Sequence, residues 1–201
     1  DDAEVTTDSL TVCIDALTRD ERTGIVCGKT YISANSDILM STGMRVRFAV
    51  ASVYDVGSGE ADRGQHDEPR TVDACGGFAF VIRRSLLSQL QGFDDAYSPY
   101  GWEEVDLCLR ARRLGFRTRY LPTALFSHKG TRQGRPSVPA YELNKARNFI
   151  ILLRRHATYV EPASCAVWMP IRPAGLLWKP VRRGESSLTL THLRGALRGL
   201  R

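Results

Sequence analysis

The sequence predicts an α/β fold. Short apolar runs typical of buried strands alternate along the chain with stretches whose apolar spacing and length are typical of helices. The chain has 201 residues, of which 43% are hydrophobic and 25% charged. A chain of this size and composition can bury an ordinary core without a disulfide or a structural metal. One globular domain, or most of one, is therefore expected.

The first half of the chain is predicted to contain one helix, several strands and a long loop. Residues 9–18 form the helix, with Thr7 or Asp8 as its N-cap. The strands expected in this half are 24–32, 38–39 and 44–52. Residues 55–70 contain three glycines and almost no large apolar side chain. We expect them to form a surface loop of the kind that is usually functional or mobile.

The second half centres on a helix predicted from Glu103 to about Leu114. Its acids lie in the first turn and its arginines in later turns, the order that the helix dipole favours, and Gly115 ends it. The other elements expected here are strands at 78–82, 116–120 and 124–127, and helices at 85–90 and 140–156. The predicted boundary separates a main domain at 1–156 from a helical, basic and aromatic extension at 157–201. The extension either packs onto the domain or contacts a membrane interface.

The cysteines and apolar runs favour a cytoplasmic protein. Five cysteines occur without a C-x-x-C pair or zinc-finger spacing, so neither a disulfide framework nor a structural zinc site is expected. No apolar run reaches the length of about 18 residues that spans a bilayer. The acidic residues at the start are unlike the basic start of a secretory signal.

Charge is distributed unevenly along the chain. Residues 1–101 carry 9 basic and 16 acidic side chains, whereas residues 102–201 carry 19 and 6. The basic half either favours a polyanionic neighbour, such as anionic lipid or a diphosphate, or only aids solubility. Nucleic acid is not expected as a partner, because the sequence shows neither a helix-turn-helix pattern nor stacking aromatics.

The strongest chemical pattern is WEEVDLCLR at 102–110, where three carboxylates open a helix. Helical spacing puts Glu103 and Asp106 on one side, lets Asp106 pair with Arg110, and directs Glu104 elsewhere. One carboxylate can therefore face a cleft and act as a general base toward a hydroxyl group. The alternative, that these acids only complement the helix dipole at the surface, stays open at this point.

Two weaker patterns indicate a site for a metal or an anion. The acidic start includes Asp2, and carboxylate oxygens can hold Mg²⁺ or Mn²⁺ on a diphosphate, although a frayed acidic end would look the same. His128 follows a predicted strand, and Lys129 and a loop rich in glycine and arginine follow it. A lone histidine in such a place is also commonly structural or simply exposed.

Taken in order, these segments resemble family 2 glycosyltransferases, and bacterial rhamnosyltransferase-like members above all. The matching segments are DDAEV, GIV, DRGQHDEPR, GGFAFVIRR, GFDD, WEEVDLCLR and SHK, spread over residues 1 to about 156. The resemblance implies part of a GT-A fold, in which a mixed, mostly parallel sheet is flanked by helices. It also implies an enzyme that transfers a sugar, with inversion, from a nucleotide-sugar donor to a hydroxyl of a glycan or lipid-linked acceptor in cell-envelope polysaccharide synthesis.

The resemblance also implies the site. The family's acidic pair falls on Glu103 and Glu104, with Glu104 at the base position where the family usually has Asp, and Asp106 stays a rival base. Asp2 and His128 fall on the positions that hold Mg²⁺ or Mn²⁺. The substrate-binding positions that the resemblance implies are Gly76, Gly77, Trp102, Lys129 and Arg132.

The family's first strand and nucleotide-binding half have no counterpart before residue 1 of this sequence. The resemblance therefore predicts a fragment that lacks activity by itself. The intact enzyme is expected at the inner face of the plasma membrane, in peripheral contact with anionic lipid. The alternative is a non-catalytic remnant that binds glycan or membrane.

Overall fold

The computed structural model describes residues 2–129 and 138–157, together with the isolated residue 198. Strands in these ranges are β1 (Ala3–Val5), β2 (Thr23–Tyr31), β3 (Leu39–Ser41), β4 (Met44–Arg47), β5 (Ser52–Asp55), β6 (Arg70–Val72), β7 (Val81–Ile82) and β8 (Arg117–His128). The α-helices are α1 (Thr7–Arg19), α2 (Arg84–Gln89), α3 (Glu103–Arg113) and α4 (Val138–His156).

A six-stranded mixed sheet forms the centre of the fold. Its longest ladder joins β2 and β8 in parallel, from Thr23 opposite Arg117 to Tyr31 opposite Ser127. The shorter strands β1 and β6 pair with β8, and β3 and β7 pair with β2, all antiparallel. β4 and β5 form a separate two-stranded sheet. The predicted α/β class, with a mixed sheet and flanking helices, is confirmed.

Helix α1 packs on this sheet and closes part of the core. Cys13 on the buried side of α1 lies in one apolar cluster with Val26 of β2 and with Ala124 and Phe126 of β8. The helix begins two residues earlier than expected, at Thr7, because Thr6 is its N-cap in place of Thr7 or Asp8. The Thr6 side chain accepts a hydrogen bond of 3.2 Å from the backbone N of Ser9. An uncapped first turn would leave these backbone donors without partners.

Three predicted strand assignments differ from the structure. The strand expected at 78–82 is limited to β7 (Val81–Ile82), because residues 77–79 form a turn. The two strands predicted at 116–120 and 124–127 are one strand, β8, which begins at Arg117. The register of the β2–β8 ladder shifts between Gly28 and Lys29, whose partners are Leu121 and Leu125. The bulge absorbs Pro122, which cannot donate to a ladder, without ending the strand. Residues 44–52 do not form one strand, because a 3-10 turn and the left-handed Ala51 (φ 48°) separate β4 from β5.

The chain divides into two compact units. The first comprises 1–46, 54–93 and 104–131, and the second comprises 47–53, 94–103 and 132–201. The predicted boundary at residue 156 stays a prediction, because nearly all of the expected extension lies outside the described residues. Within the described ranges, no helix is long and apolar enough to cross a membrane.

Candidate active site

In the first unit, Gly77 lies beside Glu104. A Cβ atom placed on Gly77 would lie 3.7 Å from the Cβ, Cγ and Cδ atoms of Glu104, so this side chain runs along the face of the glycine. Gly77 is exposed, Gly76 is buried and Glu104 is half-buried. The first turn of α3 therefore presents one carboxylate next to a backbone segment that has no side chain to cover it.

An aromatic contact links Gly76 to His128 in the same unit. The Phe78 ring folds back over Gly76 so closely that a Cβ atom there would lie 2.3 Å from the ring. The other partner of this ring is His128, whose ring centroid lies 5.3 Å away at an interplanar angle of 30°. Gly76 therefore makes room for the ring that supports the imidazole.

Strand pairing brings Asp2 and His128 together. β1 runs antiparallel to β8 with Ala3 opposite His128, and His128 Nε2 lies 3.3 Å from Asp2 Oδ2. The other ring nitrogen, Nδ1, is buried without a hydrogen-bond partner. Within the residues described, no three His, Cys, Asp or Glu side chains are arranged to hold a metal ion. This part of the chain thus supplies a pair of candidate ligands.

Lys129 holds the start of the chain against the end of β8. Its backbone N donates to the Asp2 carbonyl at 2.7 Å, and its ammonium lies 3.0 Å from the Glu4 carboxylate. Both side chains of that ion pair are more than half exposed, so the pair adds little stability. Arg132, the other predicted cationic ligand, lies outside the described residues.

Asp106 is engaged in the core. Its side chain is 1% exposed, and its Oδ2 accepts a hydrogen bond of 2.6 Å from Nε of Arg110. The same guanidinium donates to the carbonyls of Leu90 and Gly92, at 2.8 and 2.9 Å. The carboxylate of Asp106 thereby orients an arginine that fastens the turn after α2 to α3.

Glu103 and Trp102 lie in the second unit. The Glu103 carboxylate accepts a hydrogen bond from the backbone N of Gly101. The indole of Trp102 donates from Nε1 to the carbonyl of Lys145 on α4 at 3.0 Å. The ammonium of Lys145 lies 4.7 Å from the ring centroid. In this structure both residues shape the loop that precedes α3.

The long loop at 55–70 is anchored to the sheet of the first unit. The buried ammonium of Lys29 on β2 pairs with Asp62 at 2.8 Å and also with Asp67. The hydroxyl of Tyr31 donates to the same Asp62 oxygen at 2.6 Å, and that of Tyr120 donates to the His66 carbonyl at 2.9 Å. Because β2 and β8 both hold it, the loop is a fixed part of the surface.

Burial and hydrogen bonding oppose each other in this cluster. Burial raises the pKa of Asp62, but the hydrogen bonds from Lys29 and Tyr31 outweigh it, and the pKa falls from 3.8 to about 2. Burial lowers the pKa of Lys29, and the two carboxylate partners more than reverse this, so the pKa rises. Burial, followed by the bond to Asp62, raises the pKa of Tyr31 to about 12.

Sequence reasoning missed Phe78 and Asn148. Phe78 is one of several aromatics in apolar surroundings, and nothing local indicates that its ring stacks on a histidine 50 positions away. Asn148 lies at the start of an apolar stretch of α4, directly before FIILL at 149–153, and is completely buried. An amide in such a stretch needs polar partners, and that signal could have marked it.

Comparison with known proteins gives partial matches. No family model matches the chain. It is 33% identical over 100 residues to an N-acetylglucosaminyl-diphospho-decaprenol L-rhamnosyltransferase of Mycobacterium tuberculosis, which covers 48% of this chain and 32% of the relative. It is 35% identical over 79 residues to a pre-mycofactocin glycosyltransferase of the same organism, covering 37% and 16% of the two chains. It is 41% identical over 51 residues to the rhamnosyltransferase WbbL of Escherichia coli, covering 25% and 19%.

Among solved structures, the chain is similar to a mannosyltransferase of Pyrobaculum calidifontis in complex with GDP-mannose and Mn²⁺. The TM-score is 0.47 at 13% identity, over 97% of this chain and 58% of the other. The sequence relatives are all glycosyltransferases, two of the three being rhamnosyltransferases, so the resemblance found in the sequence is confirmed. The aligned segment covers 32% of the first relative.

Proposed function

We propose that this chain is the acceptor-side part of an inverting glycosyltransferase. The enzyme transfers a sugar, a hexose or deoxyhexose such as rhamnose, from a nucleoside diphosphate to a hydroxyl of a glycan or lipid-linked acceptor of the cell envelope. The observation that carries this proposal is the position of Glu104 on the first turn of α3, alongside the uncovered backbone of Gly77. The sequence relatives supply the reaction class.

Glu104 is the proposed general base. It differs from Glu103, which bonds the backbone of its own loop, and from Asp106, which is buried against Arg110. A half-buried carboxylate beside a glycine can approach an acceptor hydroxyl without a competing side chain between them. Proton removal from that hydroxyl makes its oxygen the nucleophile, and a single displacement at the anomeric carbon inverts its configuration.

Asp2 and His128 are the proposed ligands of Mg²⁺ or Mn²⁺. They fit a divalent cation because Asp2 Oδ2 and His128 Nε2 already lie 3.3 Å apart, close enough for one ion to contact both atoms. When bound, such an ion neutralises charge on the departing diphosphate. Phe78 holds the plane of the imidazole, and Lys129 and Arg132 are proposed to add positive charge near the diphosphate.

The proposed partners are a nucleotide sugar and a glycan or lipid-linked acceptor, with Trp102 beside the acceptor sugar. The basic second half of the sequence, with 19 basic and 6 acidic residues at 102–201, suits an anionic membrane surface where lipid-linked acceptors lie. We therefore propose action at the cytoplasmic face of the plasma membrane.

The proposal is tested on the protein expressed from its complete gene. Transfer is assayed with Mn²⁺, a panel of nucleotide sugars and a lipid-linked acceptor, and Glu104→Gln is compared with Glu103→Gln and Asp106→Asn. We expect Glu104→Gln to lower kcat by about 100-fold to 10,000-fold, the usual contribution of a general base, while donor binding is kept. Glu103→Gln, a matched isosteric change one residue away, should retain most of the activity.

Two results would contradict the proposal. Wild-type kcat in Glu104→Gln would remove Glu104 as the base. Binding of glycan or anionic vesicles, without transfer from any donor in the panel, would instead indicate a non-catalytic remnant. The metal ligands have their own test: Mn²⁺ binding followed by electron paramagnetic resonance should weaken in Asp2→Asn and in His128→Ala.

A further inference from the structure

Helix α4 is hydrogen-bonded to the loop at 94–103 through the buried side-chain amide of Asn148. Asn148 is 0% exposed, and its Nδ2 donates to the carbonyl of Tyr97 at 2.6 Å and to that of Tyr100 at 2.9 Å. An asparagine amide has two N–H donors, and here both serve backbone carbonyls of one loop. These carbonyls are three residues apart, so the amide fixes the curvature of the loop between them.

Arg147, the preceding residue of α4, bonds both to this amide and to the loop. Its Nη1 donates to Oδ1 of Asn148 at 2.8 Å and to the carbonyl of Ala96 at 3.0 Å. With its oxygen engaged by the guanidinium, the amide must turn its N–H groups toward the loop. The pair of side chains thereby bonds three loop carbonyls within the second unit.

Other residues of α4 hold both ends of the same loop. Asp94 at its start pairs with Arg155. Near its end, the indole of Trp102 donates to the Lys145 carbonyl. Trp102 has a φ of 72°, a conformation that a bulky side chain adopts only when its surroundings impose it. Helix α4 therefore holds the loop at its start, its middle and its end.

We propose that Arg147 and Asn148 are positioning residues for the transfer reaction. They keep the loop at 94–103, which ends on Glu103, in the shape that presents Trp102 to the acceptor. This inference rests on the proposed function, since it assigns the loop to acceptor binding. Neither residue touches a substrate; both act through the loop backbone.

The test uses hydrogen exchange with mass spectrometry on the 201-residue chain. Asn148→Leu keeps the approximate volume and removes both donors. Asn144→Leu is the matched control, because this amide lies one helical turn away and, among the residues described, donates to the Tyr100 hydroxyl at 3.4 Å and to no backbone carbonyl of the loop. Loss of two neutral hydrogen bonds is expected to speed exchange in the peptides covering 94–103 by about 30-fold. Peptides from β2 and β8 should exchange as in the wild type.

Unchanged exchange in the loop would overturn the inference. Acceleration throughout, including β2 and β8, would also overturn it, because it would show a general loss of stability. If Asn148→Leu does not fold, Arg147→Gln carries the same comparison, with an acceleration of about fivefold expected for the bond to Ala96. The exchange result stands whether or not the protein transfers sugar.

Kinetics on the complete protein give the second readout. We expect Asn148→Leu to raise the acceptor KM and lower kcat while the donor KM stays at the wild-type value. An equal rise in the donor KM and the acceptor KM would contradict a positioning role. If neither the wild type nor any variant transfers sugar, the proposed function is contradicted. The hydrogen-exchange measurement then still tests whether Asn148 and Arg147 hold the loop.

Discussion

Replacing Lys29 by Met removes the cation that anchors the loop at 55–70. The Lys29 side chain is 5% exposed and that of its main partner, Asp62, is 14% exposed, whereas Asp67 is 60% exposed. Deleting one partner of a buried ion pair typically costs about 3–5 kcal/mol. This range is an upper limit for Lys29→Met, because the exposed carboxylate of Asp67 can be solvated by water once the ammonium is gone. The lowering of the pKa of Asp62 from 3.8 to about 2 corresponds to roughly 2 kcal/mol, to which Lys29 contributes together with Tyr31 and the backbone N–H of Gly64. We therefore expect Lys29→Met to reduce the free energy of unfolding by about 2 kcal/mol at pH 7.

The assay is urea unfolding followed by circular dichroism over a range of pH. The pKa of Asp62 is lower in the folded state than its ordinary value, so its stabilisation is present above about pH 4 and is lost as the pH falls toward 2. The difference in the free energy of unfolding between wild type and Lys29→Met should therefore become smaller as the pH falls from about 4 toward 2. Lys129→Met, the same change in an exposed ion pair, should cost at most about 1 kcal/mol. Equal urea midpoints for Lys29→Met and wild type at pH 7 would refute the reasoning. A difference in the free energy of unfolding that does not depend on pH would also refute it.

Three further predictions concern the same unit. Gly28→Ala should destabilise the fold by more than 3 kcal/mol, on the order of severe overpacking, since its Cβ would lie 1.9 Å from a carbonyl oxygen of β8. Gly77→Ala should unfold like wild type, because its Cβ would make only an ordinary contact of 3.7 Å with Glu104, yet lower transfer because the methyl group covers the backbone beside that carboxylate. Calorimetry and the transferase assay separate the two. Arg83→Met removes a guanidinium that donates to three carbonyls around the end of α1 and should cost about 2–3 kcal/mol in urea unfolding. Burial raises the pKa of Cys13 to about 11, so this thiol should resist alkylation at pH 8 until the protein is unfolded, as mass spectrometry of the labelled peptide would show.

Several features of the fold could be predicted from local patterns. The amphipathic spacing of α1 and the acid-to-arginine order of α3 are encoded within each segment, and both helices lie within two residues of their predicted ends. The strand at 116–127 could not be resolved in this way, because Pro122 signals a break that the bulge opposite Gly28 removes. A bulge is a property of two paired strands, and its effect is not visible in one of them.

The candidate site shows the same division. The residues of the motif at 102–110, and the directions in which its three acids diverge, follow from sequence spacing alone. Helical geometry does not say which direction faces the core. Only the packing of α3 shows that Asp106 is buried against Arg110 and that Glu104 lies beside Gly77.

The sequence by itself determined the α/β class, the resemblance to glycosyltransferases and the residues that could do the chemistry, because these depend on residue type and on spacing within short segments. The tertiary structure alone decided that β1 brings Asp2 to His128, that the Phe78 ring supports this imidazole, and that Asn148 holds the loop before α3. Each of these contacts joins residues that are about 50 or more positions apart in the sequence. Such contacts form only when the sheet and helices pack, and no local pattern records which distant side chain will fill the remaining space.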